Sequence, residues 1–199
     1  MLNYELSEDE KDVLQELMNV AYGNATAVVA DMLDAFASLS IPKIRVITTT
    51  ELLSTFAQLK SESYFFATQS FSGEFSGESA FFINQDSANN LAKHLELENE
   101  EDLDDAILEL TNVLTSSLTT KLSQEMDTEV SFSLPSLLKV SNTTIQETVT
   151  FKQYSQVIVI DTDLNFQDQK IHGKIFILTK DESIQWLKTK LNSILELLI

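Results

Sequence analysis

The segment DVLQELMN at Asp12–Asn19 occurs a second time, with small changes, as DAILELTN at Asp105–Asn112. The two segments are 93 residues apart, and around them residues 7–42 align with residues 100–135 without a gap. Of the 36 aligned positions, 12 are identical. This identity exceeds what chance gives, so the chain contains an internal duplication.

Three polar residues in each copy are spaced so that they share one helix face. Asp12, Glu16 and Asn19 follow the spacing i, i+4, i+7, which on an α-helix brings their side chains within about 60° of one another. The second copy repeats the same residue types at the same spacing, as Asp105, Glu109 and Asn112. A single polar face of this kind is usually only solvated, but its repetition indicates a functional role in both copies.

The other residues of the first helix are apolar on one side and small beyond Asn19. The apolar side, which is predicted to face the core, contains Val13, Leu17, Val20, Val28 and Met32. The small residues that continue the polar face are Gly23, Thr26, Ala27 and Ala30, with Ser116, Thr119, Thr120 and Ser123 in the second copy. Small side chains leave room for another protein, so we predict a docking surface beside each polar trio.

Each motif asparagine is followed by 22 residues and then by Pro42 or Pro135, the only prolines of the chain. Because proline has a fixed φ and no N–H, each is expected at the start or edge of a strand. The complete pattern, [Asp/Ser]-x3-Glu-x2-Asn-x22-Pro, resembles the signature of the CheC/CheX/FliY family of bacterial chemotaxis phosphatases. Both copies match it, and the resemblance is to a two-site, CheC-like protein: one domain over residues 1–199, made of two fused repeats at about 7–97 and 100–199.

The resemblance implies hydrolysis of the aspartyl phosphate on a CheY-type response regulator. The implied catalytic residues are Glu16, Asn19, Glu109 and Asn112. Each carboxamide, which is donor and acceptor at once, would orient the attacking water, and each glutamate would pair with a lysine of the regulator. Asp12 and Asp105 would support docking and favour the helix dipole. No cofactor of its own is expected, and Mg²⁺ is expected on the regulator.

The resemblance also implies a second interpretation, in which the chain is an interaction module with little or no catalysis. Its partner would then be a CheD-type deamidase, a response regulator or the flagellar switch. A variant that lacks both motif asparagines would still bind its partner under this hypothesis, whereas the enzymatic hypothesis requires both side chains for turnover.

Composition limits the class of protein. The net charge of −18 argues against nucleic acid or an anionic membrane as a partner, since both require Lys and Arg for binding. The chain has no cysteine and no apolar run of transmembrane length, so we expect a cytoplasmic protein without disulfides or thiolate sites. Internal duplication can replace a homodimer, and a monomer is therefore expected.

The order of predicted elements is the same in both halves. The sequence predicts helices over 7–39 (with a possible bend at Gly23), from Asp86, over 103–127 and over 181–197. It predicts strands over 41–53, 62–72, 75–84, 129–142, 145–152, 155–161 and 169–179. A duplicated αββ(β)α unit indicates an α+β fold with a pseudo-two-fold axis, in which two long motif helices pack against an antiparallel-rich sheet.

Two alternative metal sites are weak. Asp161-x-Asp163-x-Asn165 resembles the start of a calcium loop, but the sixth and twelfth positions are Phe166 and His172, so a hairpin turn is predicted instead. The carboxylates of two neighbouring helices are typical of a di-metal bundle, yet asparagines occupy the positions where that design uses histidine. We therefore predict no metal site.

Overall fold

The computed structural model describes residues 5–57, 63–141, 156–179 and 181–198. The helices in these ranges are α1 (Glu8–Leu33), α2 (Thr49–Ala57), α3 (Gln85–His94), α4 (Glu100–Glu125) and α5 (Asp181–Leu198). The strands are β1 (Ser38–Leu39), β2 (Lys43–Thr48), β3 (Ser63–Gly73), β4 (Gly77–Asn84), β5 (Val130–Phe132), β6 (Ser136–Ser141), β7 (Gln156–Phe166) and β8 (Ile171–Thr179). None of the helices in the described ranges has the length and apolar character that a membrane crossing requires.

The two long helices begin at side-chain caps that the sequence encodes. Ser7 and Glu10 form a capping box, in which Ser7 Oγ accepts from the Glu10 N–H at 3.1 Å and Glu10 Oε2 accepts from the Ser7 N–H at 2.7 Å. In the second copy, Asn99 Oδ1 accepts from the Asp102 N–H at 2.9 Å. Both helices then continue for 26 residues, and α1 passes Gly23 without a break.

The eight strands form one antiparallel sheet in which each copy completes the other. The order is β1-β7-β8-β4-β3-β5, with β2 also paired to β7 and β6 also paired to β3. Strands β1 and β2 of the first copy thus pair with β7 of the second copy. Likewise, β5 and β6 of the second copy pair with β3 of the first. Because of this exchange, neither half has a complete sheet by itself.

The pairing of β4 with β8 places a pseudo-two-fold axis at the centre of the sheet. Ala80 lies opposite Phe176, and these positions correspond under the 96-residue offset that relates Gly77 to Gly173. At the edges, the register of β2 on β7 reproduces that of β6 on β3. A two-fold axis between antiparallel neighbours is perpendicular to the sheet. It therefore relates α1 to α4 as antiparallel helices on the same face, where they contact each other.

Both faces of the sheet are covered. On one face, α1, α3, α4 and α5 pack on alternating sheet residues such as Phe65, Phe81, Ile160 and Ile175 to form the main core. On the other face, α2 covers a second, largely aromatic cluster, in which the Phe56 ring lies 4.9 Å from Phe82 and 5.0 Å from Phe176 between centroids. The α+β class, the antiparallel sheet and the paired motif helices are confirmed.

Several predicted elements have wrong bounds. The predicted helix over 7–39 ends at Leu33 and strand β1 follows at Ser38–Leu39, and the predicted strand over 129–142 is divided into β5 and β6. The predicted strand over 41–53 ends at Thr48 and continues as helix α2, because Thr48 and Glu51 form a second capping box: the Thr48 N–H donates to Glu51 Oε2 at 2.8 Å. The predicted turn at Asp161–Asn165 lies inside β7. Its carboxylates are tolerated there because Lys174 on the neighbouring strand β8 contacts Asp161 at 2.8 Å and Asp163 at 3.2 Å. The predicted strand over 145–152 lies outside the described residues.

The buried side of α1 differs from the predicted one. The buried apolar positions are Leu14, Met18, Ala21, Tyr22, Ala25, Val29 and Leu33. Val13, Leu17 and Met32 lie at the margin of the core, but Val20 and Val28 remain 43% and 40% exposed. The prediction centred the apolar arc on the wrong side because α1 packs on α4 and α5 as well as towards β1, and these neighbours bury small residues such as Ala21 and Ala25.

The continuity of α1 predicts that Gly23→Ala stabilises the protein. A Cβ at Gly23 meets nothing within 4 Å, and alanine is favoured over glycine inside a helix by about 1 kcal/mol. Urea unfolding followed by circular dichroism should show a gain of that size. As the contrasting variant, Gly77→Ala should destabilise the protein because its Cβ would overlap the Leu178 carbonyl oxygen. A loss of stability in Gly23→Ala would contradict the unbroken helix.

Candidate functional site

The first polar trio lies open on α1. Asp12, Glu16 and Asn19 are all exposed. None of the three makes a hydrogen bond or ion pair with any residue that the structure describes. All three side chains are therefore available to a partner, as the sequence predicts for this face.

The second trio differs from the first at its asparagine. Asp105 and Glu109 are exposed, but Asn112 is half-buried. Its Oδ1 accepts a hydrogen bond of 2.8 Å from Nε2 of Gln69, a β3 residue that is 1% exposed. The carboxamide of Asn112 is thus held by the sheet beneath it, whereas that of Asn19 is not.

The proline-bearing loops lie beside the trios, which explains the constant spacing from asparagine to proline. Nε2 of Gln69 also donates to the Ser133 carbonyl oxygen at 2.9 Å, two residues before Pro135. In the first copy, the corresponding position of β7 is Thr162, whose Oγ1 donates at 2.7 Å to the carbonyl oxygen of Ser40, two residues before Pro42. Each proline directly precedes a strand, β2 or β6, as predicted.

A large apolar side chain stands exposed in each of these loops. Ile41 is 72% exposed and Leu134 is 91% exposed. The two residues correspond under the 93-residue offset, and each directly precedes a motif proline. Leu134 is joined to the Asn112 site through Ser133 and Gln69. Exposed aliphatic residues repeated beside a polar site are typical of a protein contact surface.

The electrostatic environment of the second trio leaves its carboxylates unpaired. Lys139 on β6 is the nearby cation, but it contacts Asp104 at 3.3 Å and Glu100 at 3.4 Å. Desolvation by itself would lower the pKa of Lys139, yet these two carboxylates raise it above its ordinary value. Asp105 and Glu109 form no ion pair with a described residue. They remain able to bind a cationic group of a partner.

The small residues beyond the trios are more exposed on α1 than on α4. Gly23 and Ala27 are exposed, as the predicted docking surface requires. On α4, Thr119 and Ser123 are buried, and Thr119 Oγ1 donates to the Thr115 carbonyl oxygen at 2.6 Å. Ser116 and Thr120 remain partly exposed, so the predicted surface is narrower on α4, because α4 contacts β3, β5 and β6 in addition to α1 and a wider arc of it is covered.

Two further expectations concern the acidic residues. The helix-dipole role of Asp12 and Asp105 is wrong in position, since α1 begins at Glu8 and α4 at Glu100, and the dipole effect is confined to the first turn. In the parts of the chain that the structure describes, no three His, Cys, Asp or Glu side chains converge to bind a metal ion.

No sequence pattern indicates Gln69, which lies 43 residues from its partner Asn112. Only the sheet brings the two residues together, and one buried glutamine in a strand is unremarkable as a pattern. Ile41 and Leu134 could have been found, because the repeat aligns two aliphatic residues before the two prolines.

The chain is similar to a family of chemotaxis proteins and to several solved structures. Residues 65–161, which include the second trio and Pro135, match the family model described as chemotaxis phosphatase CheX. No match was found among curated proteins. FliY of Thermotoga maritima has a TM-score of 0.74 at 17% identity, over 94% of this chain and 98% of that chain.

Two other solved structures have the same fold. The FliM middle domain from H. pylori has a TM-score of 0.62 at 14% identity, over 93% of this chain and 99% of that chain. A CheX–CheY–BeF3–Mg²⁺ complex from Borrelia burgdorferi gives a TM-score of 0.56 at 12% identity, over 83% of this chain and 97% of that chain. At these identities the likeness establishes the fold.

Proposed function

We propose that this chain, which matches the chemotaxis phosphatase CheX family model over residues 65–161, is a member of the CheC/CheX/FliY family and hydrolyses the aspartyl phosphate of a CheY-type response regulator. The observation that carries the proposal is the repeated pairing of an accessible carboxamide with an unpaired glutamate one turn earlier on the same helix. The similar CheX structure in complex with CheY and BeF3 supports the choice of partner.

The proposed chemistry requires little from the phosphatase beyond position. An acyl phosphate bound with Mg²⁺ on the regulator is attacked in line by water. The water oxygen bonds to phosphorus, the bond from phosphorus to the aspartyl oxygen breaks, and the carboxylate leaves with the electron pair while the inorganic phosphate retains both protons of the water. Asn19 or Asn112 would hydrogen-bond the water along this line, since a carboxamide is neutral and both donates and accepts.

Docking in this proposal combines one charged and one apolar contact at each site. Glu16 and Glu109 would each pair with a lysine beside the regulator's phosphorylation site. Ile41 and Leu134 would add apolar contacts beside them. With a net charge of −18, this chain gains little long-range attraction for an acidic regulator, so binding depends on these local contacts.

A second candidate function is a binding module without significant turnover. The likeness to FliM favours it, because FliM from H. pylori, which has the same fold, has been solved in a complex with FliG. The partner in that case would be a response regulator, a switch component or a CheD-type deamidase. A measurement of phosphatase turnover distinguishes this binding module from the proposed enzyme.

Removal of both motif asparagines should abolish turnover without preventing binding. Loss of a group that orients the attacking water costs about 10²-fold in rate at its own site. We expect the Asn19→Ala/Asn112→Ala variant to leave the lifetime of a phosphorylated CheY-type regulator unchanged from that of the regulator alone. Each single variant should retain partial activity through the other site.

The matched control is Asn24→Ala, which removes an exposed asparagine from α1 outside the trio. This variant should shorten the lifetime of the phosphorylated regulator as much as the wild type does. If the wild type binds the phosphorylated regulator but leaves its lifetime unchanged, the binding module is the correct function.

Removal of the motif glutamate charges should weaken docking more than turnover. In Glu16→Gln/Glu109→Gln, each site loses its pair with the regulator's lysine, so KM should rise about tenfold, which is about 1.4 kcal/mol, with kcat nearly unchanged. The dependence of KM on salt should also become weaker. Asp31→Asn/Glu101→Gln removes two exposed charges from the same helices and is the control. Equal KM values in the two double variants would exclude specific docking by Glu16 and Glu109.

A further inference from the structure

We infer that Gln69 is a positioning residue for Asn112, so that the second copy contains a pre-oriented carboxamide and the first copy does not. This inference rests on the proposed function and adds to it a residue outside the repeated motif. It also assigns different properties to two sites whose polar trios are identical in sequence.

The hydrogen bonds of Gln69 fix the orientation of Asn112. The Ser133 carbonyl oxygen can only accept, so the Gln69 atom that lies 2.9 Å from it must be the amide nitrogen. The same nitrogen lies 2.8 Å from Asn112, which must therefore turn its oxygen Oδ1 inward. Its Nδ2 points away from this contact. A docked partner meets a carboxamide with one defined orientation, and no rotation is needed before it can donate to the water or to a phosphoryl oxygen.

Among the described strands, the first copy has no residue that hydrogen-bonds its motif asparagine. Its counterpart of Gln69 is Thr162, which keeps the bond to the loop carbonyl but is too short to extend further to the motif asparagine. Asn19 is exposed and makes no hydrogen bond with the residues described. Its carboxamide can rotate freely, so productive orientation must be reached during docking, at a cost in entropy.

The two copies also differ in the size of a helix residue near the motif asparagine. Three residues after the asparagine, the first copy has Tyr22 and the second has Thr115, and both are buried. Burial raises the pKa of Tyr22 above its ordinary value; the Thr162 hydroxyl lowers it and the charge of Asp161 adds a smaller rise. The first copy thus combines a large helix residue with a small strand residue, and the second copy combines Thr115 with Gln69.

Stability alone does not explain the choice of Gln69 at this position. Its Oε1 is buried and has no donor among the described residues, and an unsatisfied buried acceptor destabilises a folded protein. The first copy makes the equivalent loop bond through Thr162 and leaves the buried Tyr22 hydroxyl without a partner among the described residues, so each copy contains a buried polar atom of this kind. What Gln69 adds is the bond to Asn112, which is consistent with a role in function.

The test transplants the first arrangement into the second site. In an Asn19→Ala background, where only the second site can act, we compare wild-type Gln69 with Gln69→Thr/Thr115→Tyr and with Gln69→Thr alone. Loss of one hydrogen bond to the carboxamide should lower kcat by about three- to tenfold, with KM unchanged because the docking residues are intact. Gln124→Thr, at an exposed position of α4, is the control and should retain the kcat of the background.

Side-chain ¹⁵N relaxation provides a second measurement that does not depend on activity. The order parameter of the Asn112 amide should exceed that of Asn19 in the wild type and fall to the Asn19 level in Gln69→Thr. A mobile Asn112 with unchanged kcat would overturn the inference, as would an equal loss of kcat in Gln124→Thr. If the Asn19→Ala protein has no phosphatase activity while its Asn112 amide is rigid, the proposed function fails and the positioning contact stands.

Discussion

The pairing of β4 with β8 is the constraint on which the rest of the structure depends. It joins the two copies at the centre of the sheet, and because Ala80 faces its own counterpart position at Phe176, it relates the copies by a two-fold axis. The long motif helices must then run antiparallel on one face, with their polar trios towards opposite ends of the helix pair. The exchange of edge strands, β2 onto β7 and β6 onto β3, makes the arrangement cooperative because each half needs the other to complete its sheet.

The axis explains why the two polar trios lie apart from each other and do not form one composite surface. Each trio lies beside a loop of its own copy, and a strand residue joins the loop to the sheet: Thr162 at Ser40 and Gln69 at Ser133. The number of residues between asparagine and proline is the same in both copies because the chain after each helix must bring the proline-bearing loop back beside the asparagine. Once duplicated, the sites were free to differ in the residue beneath them, and Asn19 and Asn112 now differ in exposure and in hydrogen bonding.

Much of the fold follows from the sequence because its signals are local or repeated. The capping box at Ser7, the spacing of the trios and the position of the prolines each depend on residues close in sequence, and all are found in the structure. Helix α2 was missed although its capping box at Thr48 and Glu51 is also local, because the run of β-branched residues around it favoured a strand.

The remaining errors concern contacts between residues distant in sequence. The sequence around Asp161 and Asp163 predicts a turn because their contacts with Lys174 of the neighbouring strand are not visible in the sequence. The exposure of Val20 and Val28 depends on how α4 and α5 pack on α1. Gln69 becomes a candidate site residue only when β3 passes beneath α4. The residues of the trios were thus predictable, but the surroundings that distinguish the two sites were not.

The most direct test of this account is an NMR titration of the isotope-labelled chain with an unlabelled CheY-type regulator, loaded with beryllofluoride and Mg²⁺ to mimic the phosphorylated state. The side-chain amide resonances of both Asn19 and Asn112 should shift on binding, and the unloaded regulator should cause much smaller shifts. Binding of the loaded regulator that changes resonances elsewhere on the sheet or helices, and leaves both amides unaffected, would contradict the account.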